Sequence, residues 1–222
     1  MNVLIVYAHD EPSSFTGAMK NLAIETLSRQ GHKIIVSDLY ALGFSPVAQK
    51  WDFVTLSGNH YNYMLEQKHA ANLDTAFSPD ILAEIQKVRA ADLIMFFAPI
   101  WWFSLPAMMK GWFDRVLAMG VAWNSGLIYE KGLLRGKQAI VVASAGGPAE
   151  YYQENGKHNA TITQVLHPIN HGTLAFCGLN VHEPFVVMNV LGMDQTARER
   201  ALQQLDERLK SLIDSPQWLT YY

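Results

Sequence analysis

The fold is decided by residues 92–116, DLIMFFAPIWWFSLPAMMKGWFDRV. Residues 93–98 are an unbroken apolar run, which reads as a strand covered on both faces. Pro99 has no N–H to give a ladder and ends it. Ile100, Trp101, Trp102 and Phe103 follow as a loop. Ser104 then offers an N-cap and Pro106 suits a first helical turn. Leu105, Met108, Met109, Trp112, Phe113 and Val116 recur at helical spacing and give that helix a wide apolar side. Consecutive aromatics therefore sit at the carboxyl end of a central strand, where an open parallel sheet binds its ligands. Such rings either plug the core or, beside main-chain N–H groups, hold a flat heterocycle with polar edges.

Working outward towards the amino terminus, residues 3–7 (VLIVY) read as a first buried strand. AHDEPSSFTGAMKNLAIETLSRQG then gives a turn and a helix, with Leu22, Ile24 and Leu27 as core candidates and Gly31 past the end. Residues 33–37 are a second strand. Residues 41–75 carry no clear period and include SGNHYNYMLEQKHAANLD; a stretch of that length is functional or locally ordered. Ser78-Pro79-Asp80 opens a helix to about residue 91. Towards the carboxyl terminus, residues 122–129 make a small excursion around Asn124-Ser125-Gly126. Residues 138–144 are the next strand, ending in SAGGPAEYYQENGKH. A helix over 162–177, a strand over 181–187 and a helix over 194–212 complete the pattern. Five strands separated by helices mean a parallel sheet with helices on both faces, the strand order being left open by pattern alone. No GxGxxG follows the first strand, so the usual dinucleotide fingerprint is absent.

The chain has 222 residues, half of them hydrophobic, and reads as one α/β domain. A formal charge of −3 gives no reason to expect a nucleic-acid or anionic-membrane partner. The single cysteine, Cys177, excludes an internal disulfide, fits a reducing compartment and lies in an apolar setting that would keep it inert. MNVLIVYAH lacks a basic region and its apolar run is too short for a signal peptide or a span, so a cytoplasmic location is expected. His60, His69, His167, His171 and His182 form no HExxH or paired-cysteine spacing, and no metal site is expected. Asp114 reads as half of a structural ion pair and Met108-Met109 as core packing.

In a parallel sheet the turns after strands one, three and four open on the same side. The first carries His9 to Thr16, where the hydroxyls of Ser13, Ser14 and Thr16 beside free N–H groups make a phosphate seat, or where Ser14 or Thr16 simply caps the helix. The third carries residues 98–103. The fourth, residues 144–147, has two glycines that let backbone approach a ligand closely.

YAHDEPSSFTGAMK, SDLYALGFSP, FSPDILAEIQKVRAADLI, PIWWFSLPAMMKGWFDRV, GGPAEYYQENGKH and FCGLNVHEP, in this order and spacing, resemble the NAD(P)H:quinone oxidoreductases of the DT-diaphorase type over nearly the whole chain. The block ending in KGWFDRV is highly specific. The resemblance implies a flavodoxin-like, doubly wound, five-stranded parallel sheet of order 2-1-3-4-5, in a short form without an extra carboxyl-terminal domain. It also implies cofactor-binding residues: His9, Ser14, Phe15 and Thr16 at the flavin's pyrophosphate, Thr16 standing where the family has Asn. Pro99, Ile100, Trp101, Trp102 and Phe103 lie along the isoalloxazine, with Trp101 replacing a Gln and contributing through its backbone. Ser144, Ala145, Gly146 and Gly147 sit at the pyrimidine edge, Ala145 replacing a Thr. Arg198 stands near the phosphate or adenosine end. Tyr152 and His158 match the catalytic pair, Tyr152 also touching cofactor. Trp102, Phe103, Trp123, Gly146, Tyr152 and His158 would meet substrate, Trp123 by reaching the partner subunit's pocket, which is more open because Ser125 replaces a second ring.

Activity follows in the same way: a homodimeric FAD enzyme, with FMN as the alternative, that takes hydride from NADH or NADPH and passes it to a quinone by a ping-pong mechanism at sites on the subunit interface. FAD is preferred because residues 41–75 offer polar and aromatic groups for an adenine. Azo- or nitroreduction is a second reading, and a redox-sensing accessory subunit of a membrane transporter a third.

Overall fold

The computed structural model describes residues 1–73, 76–214 and 216–219. Strands β1 (Asn2–Tyr7), β2 (Lys33–Asp38), β3 (Leu93–Pro99), β4 (Gln138–Ser144), β5 (Asn180–Val181) and β6 (Phe185–Val187) form one sheet. Its order is β2-β1-β3-β4-β5, with β6 also on β4, and every pairing is parallel. The expected order holds, but the fifth position is filled by two pieces. β5 pairs with Gln138 and Ala139, and β6 pairs with Val142 to Ser144. Pro184 falls in the gap and has no N–H to give, while the Glu183 N–H turns outward to the Gln217 carbonyl at 2.8 Å.

Alternate residues of the central strands enter two cores. Leu4, Val6, Ile94, Phe96, Val141 and Ala143 face one side, packed with Ile81, Ile85, Met109, Trp112, Phe113 and Leu166. Val3, Ile5, Tyr7, Met95, Phe97, Ile140 and Val142 face the other, packed with Met19, Leu27, Leu205 and Leu209. The helices that cover these faces are α3 (Pro79–Ala90), α4 (Ala107–Val116) and α5 (Ile162–Ile169) on the first, and α1 (Phe15–Arg29) and α6 (Gln195–Ser211) on the second. Period-two burial on both faces is the physical content of a doubly wound sheet. Of the core candidates in α1, Leu27 is fully buried while Leu22 and Ile24 pack at the margin. Cys177 is buried, which pushes its thiol up to about 12. Among the described residues no helix is long and apolar enough to cross a membrane.

Two local expectations change. Helix α4 starts at Ala107, with Pro106 in the capping position, because Ser104 spends its N–H and C=O on Trp101 at 3.0 and 2.9 Å. The helix expected over 162–177 is α-helical only to Ile169; a π-turn over Asn170–Leu174 and a 3₁₀ turn over Ala175–Cys177 follow Pro168.

The aperiodic stretch from residue 41 is ordered by α2 (Tyr63–Ala71) and by a buried ion pair. Arg115 of α4, its side chain 3% exposed, grips Asp52, 0% exposed, through Nε at 3.1 Å and Nη2 at 2.9 Å. Nη2 also reaches Asp80 at 3.1 Å, Nη1 donates to the Ser45 carbonyl at 2.8 Å, and the Tyr63 hydroxyl donates to Asp52 at 2.6 Å. Burial and the Asp52 carboxylate push the Tyr63 phenol upward, which keeps it a donor. Burial alone would raise the Asp80 carboxyl, but the Ser78 hydroxyl and Arg115 outweigh it and hold it below its ordinary range. That contribution is present above the unfolded carboxylate value of about 3.9 and lost only as pH falls through the lower folded one. Gly111 completes the join, since a Cβ there would lie 2.1 Å from the Pro46 carbonyl oxygen. The expected ion pair of Asp114 forms with Lys110 at 2.5 Å on the surface, where it contributes little.

Arg115→Ala strands the Asp52 carboxylate in the interior, so urea unfolding should show a loss of about 3–5 kcal/mol. The double variant Arg115→Met, Asp52→Asn should recover much of it. A loss near that of a surface change would mean the pair is not the anchor.

Candidate functional site

The carboxyl ends of β1, β3, β4 and β6 open on one rim. After β1, the Ser14 N–H donates to the Glu11 carbonyl at 3.1 Å, and the Ser14 side chain caps α1 by accepting the Gly17 N–H at 3.1 Å. The capping alternative thus describes Ser14. The N–H groups of Phe15 and Thr16, in the same first turn, have no intrahelical acceptor and stand at the positive end of the helix. Thr16 is buried, and its hydroxyl meets that of Ser144 at 2.8 Å, which locks the first loop to the fourth. The third loop is locked to the fourth as well, the Ile100 N–H donating to the Ser144 carbonyl at 2.7 Å.

Beyond Ile100 the chain makes a two-residue hairpin, Trp101 and Ser104 exchanging both backbone hydrogen bonds across Trp102 and Phe103. Both central residues are left-handed, φ 51° and 57°, a turn that favours Asn-Gly. Bulky rings at such positions are strained, and strain of this kind concentrates where a side chain is needed for function. Trp102 projects 96% exposed from the tip, whereas Phe103 turns its edge onto His158 at 5.0 Å between centroids.

Between these loops lies a cleft of about 890 Å³. His9, Ser14, Phe15, Thr16, Pro99, Ile100, Trp101, Ser144, Gly146 and Arg198 all line it, so ten of the expected cofactor residues meet in one place. Arg198 lies 5.5 Å from the Phe15 ring centroid and donates to the Val190 carbonyl at 2.7 Å. No carboxylate is among the described lining residues, so the end with α1's first turn and the Arg198 cation suits an anion. Trp101 is one of the lining residues, and its indole lies 6.2 Å from the His9 ring. Thr16, by contrast, points its hydroxyl at Ser144.

After the fourth loop Tyr152 and His158 meet at 4.7 Å between ring centroids, with Tyr151 a further 5.5 Å neighbour of His158. A Cβ on Gly147 would lie 3.4 Å from the Tyr152 ring and 3.7 Å from the His158 Nε2, so that glycine keeps open the space in front of both. The fourth loop thereby joins the cleft to the phenol–imidazole pair.

Seven expected residues are not among the cleft's lining within one chain: Phe103, Gly147, Tyr152 and His158 form the neighbouring cluster, and Ala145, Trp102 and Trp123 stand apart. Ala145 is buried and its N–H donates to Val187 at 2.8 Å. Trp102 faces outward. Trp123 packs on Phe176 at 5.5 Å in a second hollow of about 840 Å³, shared with Tyr63 and Phe113. No cleft residue comes from 41–73, and Asp74 and Thr75 lie outside the described residues, so the proposed adenine wall in that stretch has no support from its own chain. Sequence reasoning missed Val190 and Leu191, which line the cleft from the loop after β6. The signal was there, because that loop leaves the same edge of the sheet.

A family model described as a flavodoxin-like fold matches residues 1–209. The ribosyldihydronicotinamide dehydrogenase [quinone] of Homo sapiens is 42% identical over 212 residues, covering 95% of this chain and 91% of that protein. The NAD(P)H dehydrogenase [quinone] 1 of Rattus norvegicus is 37% identical over 211 residues, 94% of this chain and 76% of that one. A crystal structure of a candidate quinone reductase from Klebsiella pneumoniae superposes with a TM-score of 0.94 at 37% identity, over 100% of this chain and 88% of that one. With ten expected cofactor residues around one cleft and a match along nearly its whole length, the chain belongs to the flavodoxin-like NAD(P)H:quinone oxidoreductase family.

Proposed function

We propose that this chain is a flavin-dependent NAD(P)H:quinone oxidoreductase, a cytoplasmic homodimer in which residues 1–222 form one flavin-binding domain. The observation that carries the reading is a cleft with an anion seat and no carboxylate among its described lining residues, on whose fourth loop Gly147 brings the Tyr152/His158 pair alongside. The residues fit a flavin. The first turn of α1 and Arg198 would hold its phosphate groups, Pro99 to Trp101 its flat and apolar parts, and Gly146 and Gly147 leave room that any side chain would fill. FAD is the proposed form and FMN the smaller alternative, and the flavin released from the purified protein distinguishes them. When bound, a flavin supplies the redox chemistry, accepting hydride from NADH or NADPH and handing it to a quinone.

The chain's own part is positioning and charge. The main-chain N–H groups at Gly146 and Gly147 would stabilise negative charge that develops beside them. Tyr152 and His158 hold or move a proton at the phenol oxygen and the ring nitrogen in front of Gly147. On this reading donor and acceptor take turns at one place beside His158, which Phe103 and Tyr152 flank, and a ping-pong pattern follows. The homodimer reading rests on Trp123 and on apolar surface at Trp51, 81% exposed, and Trp102, 96% exposed, which one chain leaves uncovered.

The protein as purified should be yellow, release FAD, and turn over quinone with NADH or NADPH along parallel double-reciprocal lines. The donor panel includes N-ribosyl dihydronicotinamide, and the acceptor panel an azo dye and a nitroarene. A colourless protein that takes up neither FAD nor FMN would end the proposal; release of FMN alone would revise only the cofactor's form. Tyr152→Phe and His158→Gln should keep full flavin content yet slow stopped-flow flavin reduction by about 10²-fold, towards the low end of acid–base effects. Unchanged rates would leave the pair as loop structure. Sedimentation at micromolar protein should show a dimer, and a fully active monomer would remove the shared-site reading.

A further inference from the structure

Lys157 is the one lysine or arginine in residues 144–161, the loop that carries the phenol–imidazole pair. The loop holds its place by its own backbone. The Tyr151 and Tyr152 N–H groups donate to the Pro148 and Ala149 carbonyls at 3.1 and 3.0 Å. The chain then folds back, and the His158 N–H donates to the Tyr151 carbonyl at 3.0 Å. A Cβ on Gly156 would lie 2.4 Å from the Glu150 carbonyl oxygen and 2.6 Å from that of Tyr151, so the two arms meet backbone to backbone. Lys157 leaves the returning arm directly before His158, facing the arm of Tyr151 and Tyr152.

Its Nζ donates to the Tyr151 hydroxyl at 2.8 Å, and the Tyr151 ring stands edge-on to His158 at 5.5 Å. Among the described residues no carboxylate forms an ion pair with Lys157, although Glu150 and Glu154 share its loop. An ammonium has three donors and uses one here, while the phenol that accepts it keeps its own O–H to give. The pair therefore presents a positive charge and three hydrogen-bond donors side by side, next to the imidazole. That set suits a phosphate, whose several oxygens accept and carry negative charge. The other anion seat, α1's first turn and Arg198, lies in the cleft and belongs to the flavin's phosphate groups on the functional reading. A phosphate brought by the hydride donor needs a second cation. A dihydronicotinamide ring held beside His158 puts its phosphate one ribose away, within the sweep of a lysine at the preceding residue.

We infer that Lys157 and the Tyr151 hydroxyl seat the phosphate next to the dihydronicotinamide ribose of the hydride donor, and so select phosphorylated donors over N-ribosyl dihydronicotinamide. The inference rests on the oxidoreductase reading and deepens it. It assigns Lys157 to donor choice and leaves proton and hydride transfer to the groups already named.

The test uses the flavin-loaded full chain, one quinone and four donors: N-ribosyl dihydronicotinamide, dihydronicotinamide mononucleotide, NADH and NADPH. Lys157→Met should raise KM for the three phosphate-bearing donors by about fivefold with kcat little changed, the size of one exposed charge contact. KM for the ribosyl donor should stay at the wild-type value, because that donor has no phosphate to lose. Lys157→Gln should behave as Lys157→Met does, and Lys157→Arg should restore most of the preference. Added salt should erode the preference in wild type. Equal KM changes for all four donors would make Lys157 a clamp of the loop, and no change for any would make it a solvated side chain. A fall in kcat for all four would mean that it acts through His158. An effect confined to NADPH would place the contact at the adenosine side. Each of these results overturns the inference while the functional reading stands, as does a wild type that accepts the ribosyl donor alone. If no donor reduces the flavin, the functional reading falls, and this inference with it.

Discussion

A parallel sheet covered by helices on both faces has only its ends left to show. Every inward residue of β1, β3 and β4 is committed to one core or the other, so no side chain of the strands' interior is free to meet a ligand. What remains is the loops, and parallel pairing sends the functional ones to a single edge. The parts of the site are therefore neighbours by topology before any is a neighbour by contact. Ser144 then turns adjacency into geometry: its hydroxyl meets Thr16 and its carbonyl takes the Ile100 N–H, so three loops share one reference point. The cleft owes its fixed width to that residue more than to any of the rings that decorate it.

The long excursion from residue 41 answers to a different constraint. It has no strand to pair with and little apolar periodicity, and it stays ordered because Arg115 reaches out of α4 and takes Asp52 and the Ser45 carbonyl. A charge pair is an expensive fastening in a core, since both ions give up water. It is nevertheless specific in a way that apolar contact is not, because the fork of the guanidinium accepts one orientation of one carboxylate. The KGWFDRV block is thus three kinds of joint in seven residues. Gly111 permits close approach, Trp112 donates its indole N–H to Glu84 at 2.8 Å, and Arg115 makes the ionic clasp. KGWFDRV therefore holds scaffold, and the cleft residues Pro99 to Trp101 lie before it.

How much of this is legible in the sequence follows from range. The sheet, its strand boundaries and both helical layers are written in local periodicity, and the strand at 138–144 is legible to the residue. The three loops become legible once the strands are known to be parallel. What the sequence does not disclose is set by partners far along the chain. Ser104 has every property of an N-cap, but Trp101 claims both its backbone groups. Asp52 and Arg115 are 63 positions apart, and no local pattern connects them. The stretch 41–75 resembles an adenine platform because it is polar and aromatic, yet Tyr63 is spent on Asp52. Val190 and Leu191 escape notice because MNVLGM carries no functional-group chemistry. Their importance is wholly positional.

The mirror-image turn at Trp102 and Phe103 has a consequence for how this protein can change. Left-handed backbone at two adjacent bulky residues costs roughly 1–2 kcal/mol each, which Asn-Gly would relieve. Selection for heat resistance alone would therefore drive substitutions into this hairpin early, since relief there needs no repacking of the core. The same substitutions would strip the ring that braces His158. On the proposed site, stability and function would pull on this hairpin in opposite directions. Lineages that keep Trp-Phe at the tip mark themselves as still using it.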